Sequence, residues 1–271
     1  MITNRLISAA IILITTIVIL DSCKKDEDQK SEPNCHLLSI NNEDDNIIEA
    51  YSYDTENRLT KIQYYTNTSP DDYALYNYSE NAYTYGYFSK DGNLERSYEN
   101  PLPFNSKGLT DFAYYVSYGA SSTRYDSIFY DYNAGSYKTK ETRWLKFVSN
   151  TTGEVTFGKD VLTYTYLNNN CTKIEELFDT DNSHLTNTYE YEYYLDKPNK
   201  SYNINPWLGK LNANYRKKMI FSIFDRTTNS IVKVQITDIL IELDSEGRIA
   251  KYTDITPPFL NLVFKYTYEC K

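Results

Sequence analysis

Hydrophobic and polar residues alternate with a period of two along most of the chain after residue 34. Tyrosines at positions i and i+2 mark many of these segments, for example within 51–53, 83–87 and 189–193. Because successive side chains of a β-strand point to opposite faces, this spacing places the aromatic rings on one face of each strand. The pattern predicts an all-β body.

Many of the predicted strands run into a short polar turn and continue as a second strand. The clearest case is 51–65, where the turn spans Asp54 to Asn57. Other such units are found at 87–98, 104–115, 164–178 and 239–252, and their turns contain Gly or Asn, which tolerate positive φ. Their uneven spacing predicts an antiparallel meander of β-hairpins forming one large twisted sheet system with little helix, not a solenoid of fixed period.

Three segments interrupt this pattern. Residues 206–220 have weak helical spacing, and 66–82 and 195–214 are expected to be long loops. No stretch rich in Pro, Ser or Gly divides 34–271, so we expect a single domain there.

The first 22 residues are typical of a signal peptide. Arg5 precedes the apolar run 6–20. As a helix this run would measure about 22 Å, which is shorter than a hydrocarbon core of about 30 Å. The run ends at Leu20-Asp21-Ser22-Cys23, which resembles the lipobox of bacterial lipoproteins, in which the Cys is acylated. We expect a signal peptide at 1–22, lipidation of Cys23 and a disordered acidic tether at 23–33; an uncleaved anchor helix is the alternative.

Three further cysteines, Cys35, Cys171 and Cys270, follow in a chain expected to enter an oxidising compartment. Cys35 and Cys270 open and close the folded region and are the favoured disulfide candidates. Other pairings, or three free thiols, stay open. Cys171 replaces a Leu of related hairpins and is expected to be a buried small hydrophobic residue.

Charge and motifs exclude several functions. The chain has 29 Tyr and a formal net charge of −9, which disfavours a nucleic-acid binder because such a protein needs a basic surface. The two histidines, His36 and His184, lie far apart, and no nucleophile elbow, zinc-protease, phosphate-loop or dinucleotide motif is present. The sequence therefore predicts no catalytic residue, no metal site and no cofactor.

Aromatic side chains are the feature that indicates binding. Trp207, with Tyr202 and Tyr215 in and beside the predicted loop 195–214, is a candidate platform for a sugar ring or a peptide, and Trp144 is the second tryptophan. The alternative is that the Tyr rows pack a twisted sheet that is poor in aliphatic residues.

Several segments resemble a known group of proteins. The unit Tyr-x-Tyr-Asp-x-x-Asn-Arg-Leu-Thr-Lys-Ile at 51–62 resembles a YD repeat of Rhs-type β-shells. Together with Cys-His-Leu-Leu-Ser-Ile at 35–40 and Tyr-Tyr-Leu-Asp-Lys-Pro-Asn at 193–199, the layout resembles uncharacterised Bacteroidota lipoproteins built from degenerate YD-repeat-like hairpins. The charged run at 24–28 resembles their surface-export signal, and Asp-Ser-Ile at 126–128 resembles their O-glycosylation acceptor, with Ser127 as the modified residue.

This resemblance implies an outer-membrane lipoprotein, exposed at the cell surface or, alternatively, facing the periplasm, and it implies no catalytic residues. We expect a non-catalytic cell-envelope protein that binds a ligand or acts as a scaffold. A glycan-processing or glycan-capturing lipoprotein and a purely structural repeat spacer are the alternatives. The expected partners are the membrane, through the N-terminal lipid, and a glycan or peptide ligand.

Overall fold

The computed structural model describes residues 35–98, 100–178, 185–201, 203, 205–225, 227–228, 230–259 and 261–270. The chain divides into a large unit, His36–Glu269, and a small unit composed of Met1–Cys35 and Cys270–Lys271. In the small unit the described residues are Cys35 and Cys270, which are joined by a disulfide with an S–S distance of 2.01 Å. This is the pair that the sequence favours. The predicted signal peptide, Cys23 and most of the tether lie outside the described residues.

The large unit consists almost entirely of antiparallel strands, as the alternating pattern predicts. The strands are β1 Cys35–Asn41, β2 Ile47–Tyr53, β3 Leu59–Thr66, β4 Ser69–Ser79, β5 Ala82–Phe88, β6 Leu94–Tyr98, β7 Leu102–Pro103, β8 Phe112–Tyr118, β9 Ser122–Tyr132, β10 Lys138–Ser149, β11 Val155–Leu167, β12 Asn170–Phe178, β13 Leu185–Pro198, β14 Asn214–Phe224, β15 Ile231–Leu243, β16 Ile249–Ile255 and β17 Leu262–Cys270. A 3-10 turn, Pro206–Leu208, precedes β14. In the part of the chain that the structure describes, no helix has the length and apolar character needed to cross a membrane.

Sixteen of the strands form a closed barrel. Each strand pairs with the next along the chain, β6 pairs directly with β8, and β17 pairs with β1 to close the ring. The short β7 is an extra strand that pairs with β5. The predicted all-β, antiparallel hairpin fold is confirmed, and closure of the ring gives every strand of the barrel two neighbours.

The hairpin turns owe their shape to a repeated side-chain hydrogen bond. Asp54 Oδ1 accepts hydrogen bonds from the backbone N–H groups of Glu56 and Arg58, each at 2.9 Å. The Arg58 guanidinium also donates a hydrogen bond of 2.8 Å to Asp54 Oδ2. Asn57, between them, has a φ of 63°, which Asn tolerates better than most residues. The same arrangement recurs at 244–248. It explains why both turns have an Asp at the first position and an Arg four residues later.

Tyrosine side chains fill the inside of the barrel. Tyr83 is 1% exposed, and its ring packs at 5.8 Å from that of Tyr98. Tyr53 donates a hydrogen bond of 2.9 Å to the carbonyl oxygen of Leu37, and other inward tyrosines bond backbone carbonyls in the same way. A ring that fills space and a hydroxyl that can reach a backbone acceptor suit a barrel interior with few aliphatic residues.

The two expected loops were wrong in part. Residues 69–79, expected within a loop, form β4. The strand is hard to predict because Pro70 and two Asp residues hide the inward alternation of Ala74 and Tyr76. The two-residue turn before it, Asn67 and Thr68, has positive φ at both positions without the usual Gly. The other expected loop, 195–214, begins within β13, which extends to Pro198. The weak helical spacing of 206–220 corresponds to the 3-10 turn and to part of β14.

Candidate ligand-binding site

The predicted platform residue Trp207 is buried. It is 5% exposed, and its ring lies 4.4 Å from that of Tyr83 and within about 6 Å of those of Tyr76 and Tyr78. Its carbonyl oxygen accepts a hydrogen bond of 2.9 Å from the N–H of Thr110. The polar loop that looked exposed in the sequence therefore folds its tryptophan into the barrel core.

Tyr215 is also buried and belongs to a different cluster. It is 4% exposed and packs with Ile239, Ile241 and Ile249. Its hydroxyl donates to the carbonyl oxygen of Gly247 at 3.2 Å. Tyr202 lies outside the described residues. Trp207 and Tyr215 thus form no common exposed surface, and the expectation of a platform built on these two residues is wrong.

The second tryptophan, Trp144, lies on the outside of the barrel. It is 52% exposed in the middle of β10, whereas the next residue, Leu145, is 4% exposed and points inward. Phe157, on the neighbouring strand β11, is 72% exposed. We call the face of the sheet that carries these two residues the outer wall.

A cavity of about 420 Å³ lies against Trp144 on this outer wall. Aromatic rings from four consecutive strands line it, namely Tyr114 of β8, Tyr125 of β9, Trp144 of β10 and Phe157 of β11. Ser127 lies at its floor, because the strand register places Ser127 directly between Tyr114 and Trp144. A small side chain between two large ones leaves a trench, and we call this feature the Trp144 cavity.

Two lysines flank the aromatic rings. The Lys159 ammonium lies 4.7 Å from the centroid of the Trp144 ring, and the Lys146 ammonium lies 5.3 Å from that of Tyr125. Both contacts are within the range of a cation–π interaction. The described residues that line the cavity include these two cations and no carboxylate.

Charged residues lie on the inner side of the same strands. Glu141 is 4% exposed and accepts hydrogen bonds from Lys138 at 2.7 Å and from Arg143 at 2.5 Å. Burial alone would raise the pKa of the Glu141 carboxyl, but the two cations outweigh it and hold this pKa below its usual range. Asp126, which is fully buried, pairs with Arg124 at 2.8 Å.

The remaining candidate residues are placed as follows. Ser127, the candidate O-glycosylation site, points into the Trp144 cavity, so a sugar attached to it would occupy that space. Cys171 is buried outside any disulfide, and burial raises the pKa of its thiol. His36 is 2% exposed, and its ring lies 4.8 Å from that of Tyr53, whereas His184 lies outside the described residues. Among the described residues no three His, Cys, Asp or Glu side chains are grouped so that they could hold a metal ion.

Sequence comparisons found no match to a protein-family model and none to a curated protein. Among solved structures, a porin-like protein from Bacteroides vulgatus is similar, with a TM-score of 0.57 and 8% identity over 86% of this chain and 98% of that one. A porin-like protein from Bacteroides uniformis has a TM-score of 0.48 and 14% identity over 82% of this chain and 90% of that one. At this level of identity, the likeness to the first of these structures extends to the barrel fold alone.

Proposed function

We propose that this chain is a non-catalytic lipoprotein barrel of the outer membrane that binds a ligand at the Trp144 cavity. The observation that carries the proposal is a concave aromatic surface on the outside of a closed barrel, with Trp144 52% and Phe157 72% exposed. Ligand sites are typically concave, rich in aromatic residues and about 300 to 1,000 Å³ in volume. The Trp144 cavity has these properties.

The location in the outer membrane rests on two supports. The first is the resemblance of residues 1–23 to a lipoprotein signal peptide that ends in an acylated Cys23. The second is the fold likeness to a protein described as porin-like. The charged run that follows Cys23 favours display at the cell surface, with the periplasmic side as the alternative orientation.

The outer wall favours a barrel that is carried by its lipid over one inserted in the bilayer. Lys140 and Lys146 of β10 are exposed, as are Asp238 and Glu242 of β15, where the inward residues alternate with them and are buried. A membrane-spanning barrel presents an apolar band about 25 Å tall, and each Lys placed at its middle costs about 2–4 kcal/mol. The same face of β15 also carries the exposed apolar residues Val232, Val234, Ile236 and Leu240. The proposal that the wall faces water therefore rests on the charges of β10 and β15.

Binding is favoured over turnover by the way the carboxylates are used. Glu141 and Asp126, on the inner side of two strands that carry the Trp144 cavity, are engaged in ion pairs inside the barrel. The described lining of the cavity supplies aromatic rings, the hydroxyl groups of Ser127 and two tyrosines, and two ammonium groups, without a carboxylate to act as base or nucleophile.

The binding proposal is tested with the full chain purified from membranes in detergent and applied to a glycan array. We expect binding that is lost in Trp144→Ala and retained in Phe259→Ala, a control chosen because Phe259 is 64% exposed elsewhere on the barrel. Product formation by the wild-type chain would favour the glycan-processing alternative. If the chain binds no sugar and no peptide, the structural spacer is the remaining alternative.

The anchoring proposal is tested by a specific protease site inserted between Lys30 and Ser31. Cleavage of membrane vesicles should release an intact barrel into the supernatant. A barrel that stays in the membrane pellet after complete cleavage would show that the wall is inserted in the bilayer.

A further inference from the structure

The geometry of the Trp144 cavity suits a flat ring. Tyr114 and Trp144 lie on either side of Ser127 in one cross-strand row, so their strands are two spacings, or about 9.6 Å, apart. Carbon atoms in contact are about 3.5–4.0 Å apart, so one ring held between two aromatic side chains needs about 7–8 Å. The trench above Ser127 therefore has room for one ring between the two side chains, with about 2 Å to spare.

The next cross-strand row continues the surface. Tyr125, Lys146 and Phe157 are aligned across β9, β10 and β11, directly beside the row that contains Trp144 and Lys159. Rings and ammonium groups therefore lie next to one another on the surface. Together the two rows cover four strands, about 14 Å, which is enough for a ligand of several linked rings.

Charge at this site is opposite to the charge of the chain. The chain carries −9, yet the described lining of the Trp144 cavity is purely cationic in its charged groups. Each ammonium now lies over an aromatic face, which is a weak contact at an exposed position. A ligand that covers the rings and brings its own anions would replace these contacts with charge-assisted hydrogen bonds, which are stronger.

The surroundings of the Trp144 cavity limit the chemical class of its ligand. Pairing of β8 to β11 on both sides leaves no strand edge there that could pair with an extended peptide. A cavity on a wall that faces water keeps one side of its occupant hydrated. A sugar ring has an apolar face for stacking and hydroxyl groups for the water side, so it meets both conditions.

From these observations we infer that the Trp144 cavity binds an acidic oligosaccharide, one whose rings stack between Tyr114 and Trp144 while its carboxylate or sulfate groups pair with Lys146 and Lys159. This inference rests on the proposed function, since it specifies the ligand class of the same site. Ser127 forms the floor that admits the ring.

The inference is tested by calorimetry on the full chain in detergent with matched ligands. The ligands are oligogalacturonides with their methyl esters, and chondroitin sulfate oligosaccharides with their desulfated forms. We expect the more highly charged member of each pair to bind about twofold to thirtyfold more tightly, the range for two exposed ion pairs. This preference should be lost in the double variant Lys146→Gln/Lys159→Gln. It should be kept in the control double variant Lys217→Gln/Lys233→Gln. It should also shrink in 0.5 M salt.

The outcomes separate this inference from the proposed function. Equal affinity within each ligand pair, still lost in Trp144→Ala, overturns the acidic specificity and leaves binding at the cavity in place. No binding of any sugar, with circular dichroism showing a folded chain, overturns both. Binding to phosphatidylglycerol vesicles that depends on Trp144, without binding to the acidic sugars, also overturns the saccharide assignment.

Discussion

Neutralising Glu141 tests the account of the ion pairs inside the barrel. The substitution Glu141→Gln keeps the shape of the side chain and removes the charge that faces Lys138 and Arg143. Removing one partner of a buried ion pair leaves uncompensated charge in the interior and costs about 3–5 kcal/mol. The side chains of Lys138 and Arg143 are 19% and 32% exposed, so water screens part of this penalty and we expect a loss of about 3 kcal/mol.

A matched control is Glu175→Gln on the neighbouring strand β12. Lys173 lies 2.8 Å from Glu175, a spacing similar to that at Glu141, but both of these side chains are more than a third exposed. An exposed pair contributes about 0–1 kcal/mol. The two variants therefore differ in burial and share the same chemistry.

The assay is guanidinium unfolding of the full chain in detergent, followed by tryptophan fluorescence, in which the buried Trp207 changes its environment most, with a thermal scan as a second measurement. We expect a midpoint temperature lower by about 6–12 °C in Glu141→Gln and by less than about 4 °C in Glu175→Gln, from about 2–4 °C per kcal/mol for a chain of this size. Equal destabilisation by the two substitutions would refute the argument from burial.

The same pair gives a pH dependence of defined sign. The pKa of Glu141 is below its usual range in the folded chain, so the unfolded chain takes up a proton at a higher pH than the folded chain does. The stability that Glu141 contributes is present at neutral pH and is lost as the pH falls through the lowered pKa. Glu141→Gln should therefore unfold with a weaker pH dependence below about pH 4.5 than the wild-type chain.

Four further predictions concern other parts of the molecule. Labelling with a palmitate analogue should mark the wild-type chain and leave Cys23→Ala unmarked; equal labelling would refute acylation at Cys23. Peptide mapping without reductant should recover the Cys35–Cys270 crosslink, and Cys35→Ser should lower the free energy of unfolding by about 2–5 kcal/mol. Burial raises the pKa of Tyr98 to about 12, so stability should fall as the pH rises from 10, where the unfolded tyrosine ionises, towards 12; a flat profile in this range would contradict the burial of the tyrosines. Ser127→Phe should fill the trench and abolish ligand binding with less than about 1 kcal/mol effect on stability, and the mass of the peptide that contains Ser127 from the wild-type chain tests its O-glycosylation.

Local features of this fold could be predicted from the sequence, whereas closure of the barrel could not. A Tyr-x-Tyr strand followed by Asp54, Asn57 and Arg58 specifies a hairpin, because the Asp side chain caps the turn within five residues. Closure depends on pairing between β1 and β17, at opposite ends of the folded chain, and on the accumulated stagger of all strands between them. No short segment carries that information.

The two tryptophans show why the sequence indicates Trp207, which is buried, and not Trp144, which is exposed. Trp207 lies among Asn and Pro residues in a segment without alternation, and such segments are usually on the surface. The contacts that bury it come from β4 and β5, more than a hundred residues away in the sequence. Trp144 had a usable signal, since it shares its parity along β10 with Lys140 and Lys146, but the inward charges of Glu141 and Arg143 obscured which parity faces water.

The Trp144 cavity depends on strand register, which contacts between strands maintain. A slip of one residue in β10 would turn Glu141 and Arg143 outward and carry Trp144 into the barrel, because neighbouring side chains point to opposite faces. Lys138 and Arg143 lie on the same strand as Glu141 and would move with it, so their ion pairs do not oppose the slip. The slip would instead expose the buried Leu145 and break the hydrogen bond of 3.3 Å that Tyr164 of β11 donates to Glu141. We therefore expect Glu141→Gln, whose amide oxygen still accepts from Tyr164, to lower stability and to leave ligand binding unchanged. Weakened binding by a folded Glu141→Gln chain would show that the buried charge itself helps to set the register.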